Sequence, residues 1–282
     1  LAESPKNIEG LVTLLKDLAP ASSEHIETDI DPFQTLVKFL SQEYKKTNHF
    51  FEHILPQLTL EALRLPDLFP DGYLKQLEPS QEQVLTFTKE QISCIIVHLF
   101  FGTIQKNQLQ FWTSYQVWYS TNSKPVITYL HVLFEYLERV ATNALDKLAT
   151  VTFIRKIVPE DEKLEINVPL IPVSTRNQGE ITDCHGSLEV DFANKDVTYG
   201  RGGTQEEILL GMSPELHIFA LIGLTLQDNE SFVVNGAEKI GRHSGFGSDV
   251  KFEGPFHYDQ SKSYKDRFVV AIDALNYDEE VD

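Results

Sequence analysis

The stretch 188–210 constrains this chain most, because it sets a strand, a glycine turn and a helix start in the order that α/β sheets use to hold anions. Leu188, Val190 and Phe192 alternate with Glu189 and Asp191, the two-residue period of a half-buried strand with its apolar side inward, and the run ends at Ala193-Asn194. Gly200, Gly202 and Gly203 then leave the backbone free to adopt positive φ and to bring its N–H groups close to a ligand. Gln205-Glu206-Glu207 open a helix whose Ile208, Leu209 and Leu210 read as buried. Free amides and the positive end of a helix dipole converge at such a junction, and a phosphate would suit it.

The residues before this junction have a different texture. Positions 1–149 read as an α-helical accessory region. Leu11, Leu14, Leu15 and Leu18 fall at helical spacing, as do Phe33, Leu36, Val37 and Leu40. The strongest helix signal runs over 89–101, where Thr88 and Gln91 form a capping box and Ile92, Ile95, Ile96, Leu99 and Phe100 make a wide apolar face. A second follows Pro125, through Leu130, Leu133, Phe134, Leu137 and Val140. From Thr150 the pattern turns to short β-rich runs at 151–157, 166–173, 231–235 and 267–272 around the 188–192 strand, with a charged loop at 159–163. A region spanning 150–282 with strands, helices and a phosphate-type loop predicts an α/β layered sheet flanked by helices, with ligand at the carboxyl ends of the strands.

Charge excludes one class of function. The 282 residues carry 42 acidic against 24 basic side chains, a formal net charge of −18, and no stripe of Lys and Arg from which counterion release could drive a grip along a polyanion. Direct DNA binding is not expected, and an anionic polymer should be held only at one terminal unit. No run approaches the roughly 18 apolar residues of a membrane helix. Cys94 and Cys184 have no metal-ligand spacing, which fits a reducing intracellular compartment, nucleus or cytosol. His185, His243 and His257 form no metal pair, and no metal or cofactor is expected. The chain opens without an initiator Met, so the expectation is that it begins inside a longer native sequence. The acidic run 278–282 reads as a solvated tail, and the molecule as a monomer.

The segment Leu188-Glu189-Val190-Asp191-Phe192-Ala193-Asn194, followed by glycines and Gln205-Glu206-Glu207, resembles the signature of the poly(ADP-ribose) glycohydrolases. Val151-Thr152-Phe153 precedes it in the family's order, and Ser213-Pro214-Glu215-Leu216, Asn235-Gly236-Ala237-Glu238, Ser244-Gly245-Phe246 and Val270-Ala271-Ile272-Asp273-Ala274-Leu275 follow it. The resemblance is dense over roughly 150–277 and looser before. It implies a macrodomain behind the helical region, and hydrolysis of the ribose–ribose bonds of poly(ADP-ribose) from chain ends to release ADP-ribose. ADP-ribosylated proteins would then be partners. It also implies that Glu207 is the general acid and base, that Glu206 holds the neighbouring ribose hydroxyls, and that Asp191 and Asn194 lie on the adenine or ribose side. Gln205, Gly202 and Gly203 would complete the substrate site, and Phe246 would stack on adenine.

Two departures from the family pattern keep a second reading open. The family has three consecutive glycines and a longer loop before Gln-Glu-Glu, whereas this chain reads Lys195-Asp196-Val197-Thr198-Tyr199-Gly200-Arg201-Gly202-Gly203-Thr204. The family also continues into a second glycine-rich loop after the equivalent of 271–275. The alternative is a macrodomain that binds terminal ADP-ribose without cutting it, and a third reading makes the helical region the working part. A residue-level tension accompanies the Glu207 assignment. A helix N-terminus favours the carboxylate while an acid must carry a proton, so the proton should arrive mainly once an anionic substrate is bound. Arg201 reads equally as a phosphate clamp or as a solvated side chain.

Overall fold

A computed structural model describes residues 4–18, 31–104, 114–158, 172–175, 181, 187–258 and 263–274. Cys184, His185, the loop at 159–163, most of the extended piece at 166–173 and the acidic run at 278–282 lie outside the described residues. In chain order the helices α1 (Ile8–Leu18), α2 (Gln34–Lys38), α3 (Thr47–His49), α4 (Leu55–Ala62) and α5 (Leu65–Leu68) lead to strand β1 (Gln83–Thr88). Helices α6 (Lys89–Phe101), α7 (Gln116–Ser120) and α8 (Lys124–Ala141) precede β2 (Thr150–Ile157) and β3 (Leu188–Ala193). Then come α9 (Gln205–Gly211), α10 (Phe219–Ile222), β4 (Glu230–Asn235), β5 (Gly241–Ser244), β6 (Lys251–Pro255) and β7 (Phe268–Asp273).

The local sequence accounts for the long helices. Thr88 and Gln91 close the expected capping box on α6, and Gly102 ends that helix at φ 67°, where a residue with a Cβ is strained. Ser123 caps α8, and Pro125 sits in its first turn, where its missing N–H costs nothing. Between α2 and α4 the apolar residues Phe39, Leu40, Phe50 and Phe51 are buried, with Phe39 against Phe134 and Phe50 against both Phe134 and Phe100, so aromatic packing supplies what short helices lack in propensity.

One five-stranded sheet, in the order β1-β2-β4-β7-β3, carries the second half of the chain, and β5 pairs with β6 separately. β3 lies parallel to β7 at one edge, with Asp191 opposite Ala271. β1 was not anticipated. It comes from the region read as helical and pairs antiparallel with β2, Val84 opposite Ile154, so the sheet crosses the boundary drawn at 150. One hydrophobic cluster also runs through both parts, from Leu11 through Phe134 to Val269.

β3 corrects the reading of its own alternation. Glu189 and Asp191 point inward, while Leu188 and Phe192 are 60% and 53% exposed. Period alone does not say which side faces the core, and here buried partners decide it. Arg267, at the start of β7, grips the Glu189 carboxylate at 2.8 Å and 3.0 Å and donates to Ser213 and the Ala237 carbonyl. Buried Arg155 pairs with Glu230 in the same way across β2 and β4. These ion pairs let Glu189 and Glu230 stand in an inner row that would otherwise be apolar, because each buried carboxylate faces a guanidinium that donates to it.

Candidate active site

β3 ends at Ala193 and its chain turns directly into the glycine loop, which returns to α9 beside the strand. Gln205 joins the two. Its side-chain amide accepts from the Phe192 N–H at 2.9 Å and donates to the Val190 carbonyl at 3.0 Å, supplying the edge of β3 with the two bonds a further strand would make. Both ends of the Gln205 amide are thus engaged with β3 in this structure. Asn194 closes the strand: its side chain accepts from Asp196 N–H at 3.0 Å, and its own amide donates to the Glu206 carboxyl at 3.2 Å.

The loop differs from the expected cradle. Gly200, Gly202 and Gly203 do not adopt positive φ, unlike Gly245 at 76° and Gly247 at 60°. They are glycines for want of room. A methyl on Gly200 or Gly202 would overlap the Glu207 carboxylate, and one on Gly203 would overlap the Gly247 carbonyl. The amides that were expected to meet a phosphate meet Glu207 instead. Its Oε1 accepts from Arg201 and Gly202 N–H at 3.1 Å and 2.8 Å, and its Oε2 from Thr204 N–H and Oγ1, both at 3.0 Å. Thr204 Oγ1 in turn accepts from Glu207 N–H, a capping box that opens α9. Arg201 has an exposed side chain.

The accessory helices hold the other side of the loop. Trp118 on α7 donates to the Gly200 carbonyl at 2.6 Å, Ser123 to Arg201 at 3.3 Å, and Tyr129 on α8 to Gly202 at 2.8 Å. Beneath them His217 donates to the Leu210 carbonyl and accepts from Tyr115 at 2.7 Å, and burial pushes its pKa down to about 3, so it stays neutral. Sequence reasoning missed Trp118, Ser123 and Tyr129, because an aromatic within a helical pattern reads as core and nothing in its spacing names the loop it supports.

Glu206 turns the other way, toward β3 and Asp191. Asp191 is 1% exposed, and burial alone lifts its pKa to about 7. Burial first, and then the charge of Asp191, lift Glu206 to about 8, against the amides of Asn194 and Thr198. One oxygen of each carboxyl, Asp191 Oδ1 and Glu206 Oε1, is buried without a hydrogen-bond partner, as is the Thr198 hydroxyl. Phe246 stands across the loop. Its ring is 64% exposed, its backbone is set between the two positive-φ glycines, and Gly247 N–H donates to the Gly203 carbonyl at 2.9 Å. Glycine loop, paired carboxyls and exposed aromatic therefore converge at the carboxyl end of β3. Among the described residues no cluster of His, Cys, Asp and Glu is placed to hold a metal ion.

The helical-domain model of the poly(ADP-ribose) glycohydrolases matches residues 42–155, and the macro domain fold model of the same family matches 160–282. The chain belongs to the poly(ADP-ribose) glycohydrolase family. Among curated relatives, Poly(ADP-ribose) glycohydrolase 1 of Arabidopsis thaliana is 27% identical over 263 residues, covering 82% of this chain and 47% of that protein. The chain thus spans about half the length of that relative. The two matched regions meet between 155 and 160, just after β2, close to where composition changes. Macro domain and helical domain are both as the sequence implied, and the glycohydrolase signature lies where sheet, loop and accessory helices meet.

Proposed function

We propose that this chain is a poly(ADP-ribose) glycohydrolase that cleaves the ribose–ribose bond at polymer ends and frees ADP-ribose. The observation that carries the proposal is the Glu206 carboxyl, buried beside a second carboxyl, with its pKa raised to about 8 and one oxygen unpartnered. A carboxyl that keeps its proton at neutral pH can protonate a departing alkoxide oxygen and then, as carboxylate, take a proton from water. Family membership supplies the substrate class, and the position at the carboxyl end of β3 suits a ligand-binding crevice. Phe246 offers an exposed ring face for adenine, and Asn194, at the end of β3, is exposed as well. The net charge of −18 favours capture of one terminal unit by a monomer over a grip on a long polyanion or on DNA.

One observation favours the binding-module alternative. The carboxylate that the family pattern makes acid and base, Glu207, has its acceptor positions filled by its own loop. Chromatographic detection of free ADP-ribose after incubation with polymer separates the two. Release in proportion to protein and time supports the hydrolase. Saturable ADP-ribose binding by calorimetry with no release supports the reader.

A further inference from the structure

The glycine loop is held from two sides, and the two sides belong to different parts of the chain. In a trans peptide the C=O and the N–H point in opposite directions, so a donor on the carbonyl also decides where the amide points. The peptide joining Gly200 to Arg201 accepts from the Trp118 indole N–H at 2.6 Å and donates its amide to Glu207 at 3.1 Å. In the next peptide the Arg201 carbonyl accepts from the Ser123 hydroxyl at 3.3 Å, and the Gly202 amide donates to Glu207 at 2.8 Å. The Gly202 carbonyl then accepts from the Tyr129 hydroxyl at 2.8 Å. Of the three loop amides that reach Glu207, two are therefore aimed by side chains of the helical region. The third, Thr204 N–H, is backed by Gly247 N–H on the Gly203 carbonyl at 2.9 Å.

The side chains that do the aiming are themselves fixed. Trp118 is buried, stacked on Tyr115 with ring centroids 4.9 Å apart and set edge-on to Tyr199 at 5.3 Å. Tyr129 is buried as well, and a methyl on Gly211 would overlap its ring, so the last residue of α9 is shaped to seat that ring. Ring and hydroxyl of Tyr129 thus brace the far end of α9 against the loop that precedes it. Burial, and then the charge of Glu207, raise the Tyr129 pKa, so the hydroxyl keeps the proton it donates. We propose that Trp118, Ser123 and Tyr129 are positioning residues for the reaction, through which the helical region sets the pose of the loop and of Glu207. Glu206 is the adjacent residue, so the same clamp fixes both carboxyls relative to a bound substrate. The effect on turnover rests on the hydrolase reading.

The test is steady-state kinetics and thermal melting of Tyr129→Phe, Trp118→Phe, Ser123→Thr and Ser123→Asp beside wild type. Tyr136→Phe is the control, because it removes from the same helix a buried hydroxyl with no partner among the described residues. At a temperature where every variant is folded, Tyr129→Phe and Trp118→Phe are expected to lower kcat by about 10- to 10²-fold, the scale of a misplaced reacting group, with KM changed by less than about threefold. Tyr136→Phe should leave kcat as in wild type. Ser123→Thr keeps the hydroxyl and should lose less than Ser123→Asp, which can cap α8 but cannot donate to Arg201. The chain has two tryptophans, so Trp118→Phe assigns the Trp118 indole N–H resonance. That resonance should move in Glu207→Gln, because hydrogen bonds at the two ends of one peptide polarise each other. A Tyr129→Phe enzyme as fast as Tyr136→Phe, or equal kcat in the two Ser123 variants, overturns the positioning role. An indole resonance unmoved in Glu207→Gln overturns the coupling through the loop, and reading it needs no turnover. A wild type that releases no ADP-ribose overturns the hydrolase reading and the effect on kcat, and the indole resonance then decides the clamp by itself.

Discussion

Asp191→Asn should stabilise the protein at neutral pH, and by an amount the site geometry sets. Asp191 is buried without an ion-pair partner among the described residues, and burial lifts its pKa from 3.8 to about 7. The folded value lies above the unfolded one. The folded protein therefore binds more protons than the unfolded chain between those values, and stability is greatest below 3.8 and falls as pH rises through about 7. At about 1.4 kcal/mol per pH unit, the interval from pH 5 to 7 costs wild type roughly 2–3 kcal/mol through this side chain. Asn keeps the shape and does not titrate, so the advantage of the variant over wild type should widen by that amount across the interval. Urea denaturation of both proteins at pH 5 and pH 7, compared as a difference of differences, cancels titrations elsewhere in the molecule. A gap that is the same at both pH values would refute the argument, since it would mean that Asp191 ionises in the fold as it does in water. A more stable but slower enzyme is the expected pattern where a site keeps an unfavourable charge for function.

Other consequences follow from the loop and its rim. Phe246→Ala should weaken ADP-ribose binding by about 1–3 kcal/mol in calorimetry while changing stability by less than about 0.5 kcal/mol, because the ring is exposed. Equal affinity would place adenine elsewhere. Gly203→Ala puts a methyl onto the Gly247 carbonyl and should displace the Phe246 turn, reducing ADP-ribose affinity at least as much as removing the ring. An unchanged affinity would uncouple that turn from the site. Arg267→Met leaves Glu189 buried and unpaired and should cost about 3–5 kcal/mol in chemical denaturation. A change below about 1 kcal/mol would mean that Glu189 is solvated in the fold. Polymer binding should show a shallow salt dependence, close to that of monomeric ADP-ribose, as expected for few phosphate contacts. A slope that steepens with polymer length would point to an extended basic track.

Much of the fold was legible wherever local physics decides. The capping box at Thr88 and Gln91, the Pro125 start of α8 and the strands β2, β4 and β7 lie within a residue or two of their expected bounds. What escaped depends on contacts far apart in sequence. The alternation in β3 was visible but its sense was not, because Arg267, 78 residues away, makes Glu189 an inward residue. β1 and the β5–β6 hairpin are short and carry weak patterns, and partner strands define them. The signature residues were found, but the contacts that each glutamate makes were not. Thr204 next to Gln205 supplies a cap three residues before Glu207, and that cap draws Glu207 into the loop while Glu206 is left to face Asp191. The Thr-x-x-Glu spacing was present in the sequence and is the signal that could have announced it.

The central claim is tested most directly by following poly(ADP-ribose) chains of defined length on a gel during incubation with the protein. The account predicts that chains shorten by single units from an end while ADP-ribose accumulates in matching amount. Chains that remain intact at saturating protein, or that break internally into mid-length fragments, would contradict it.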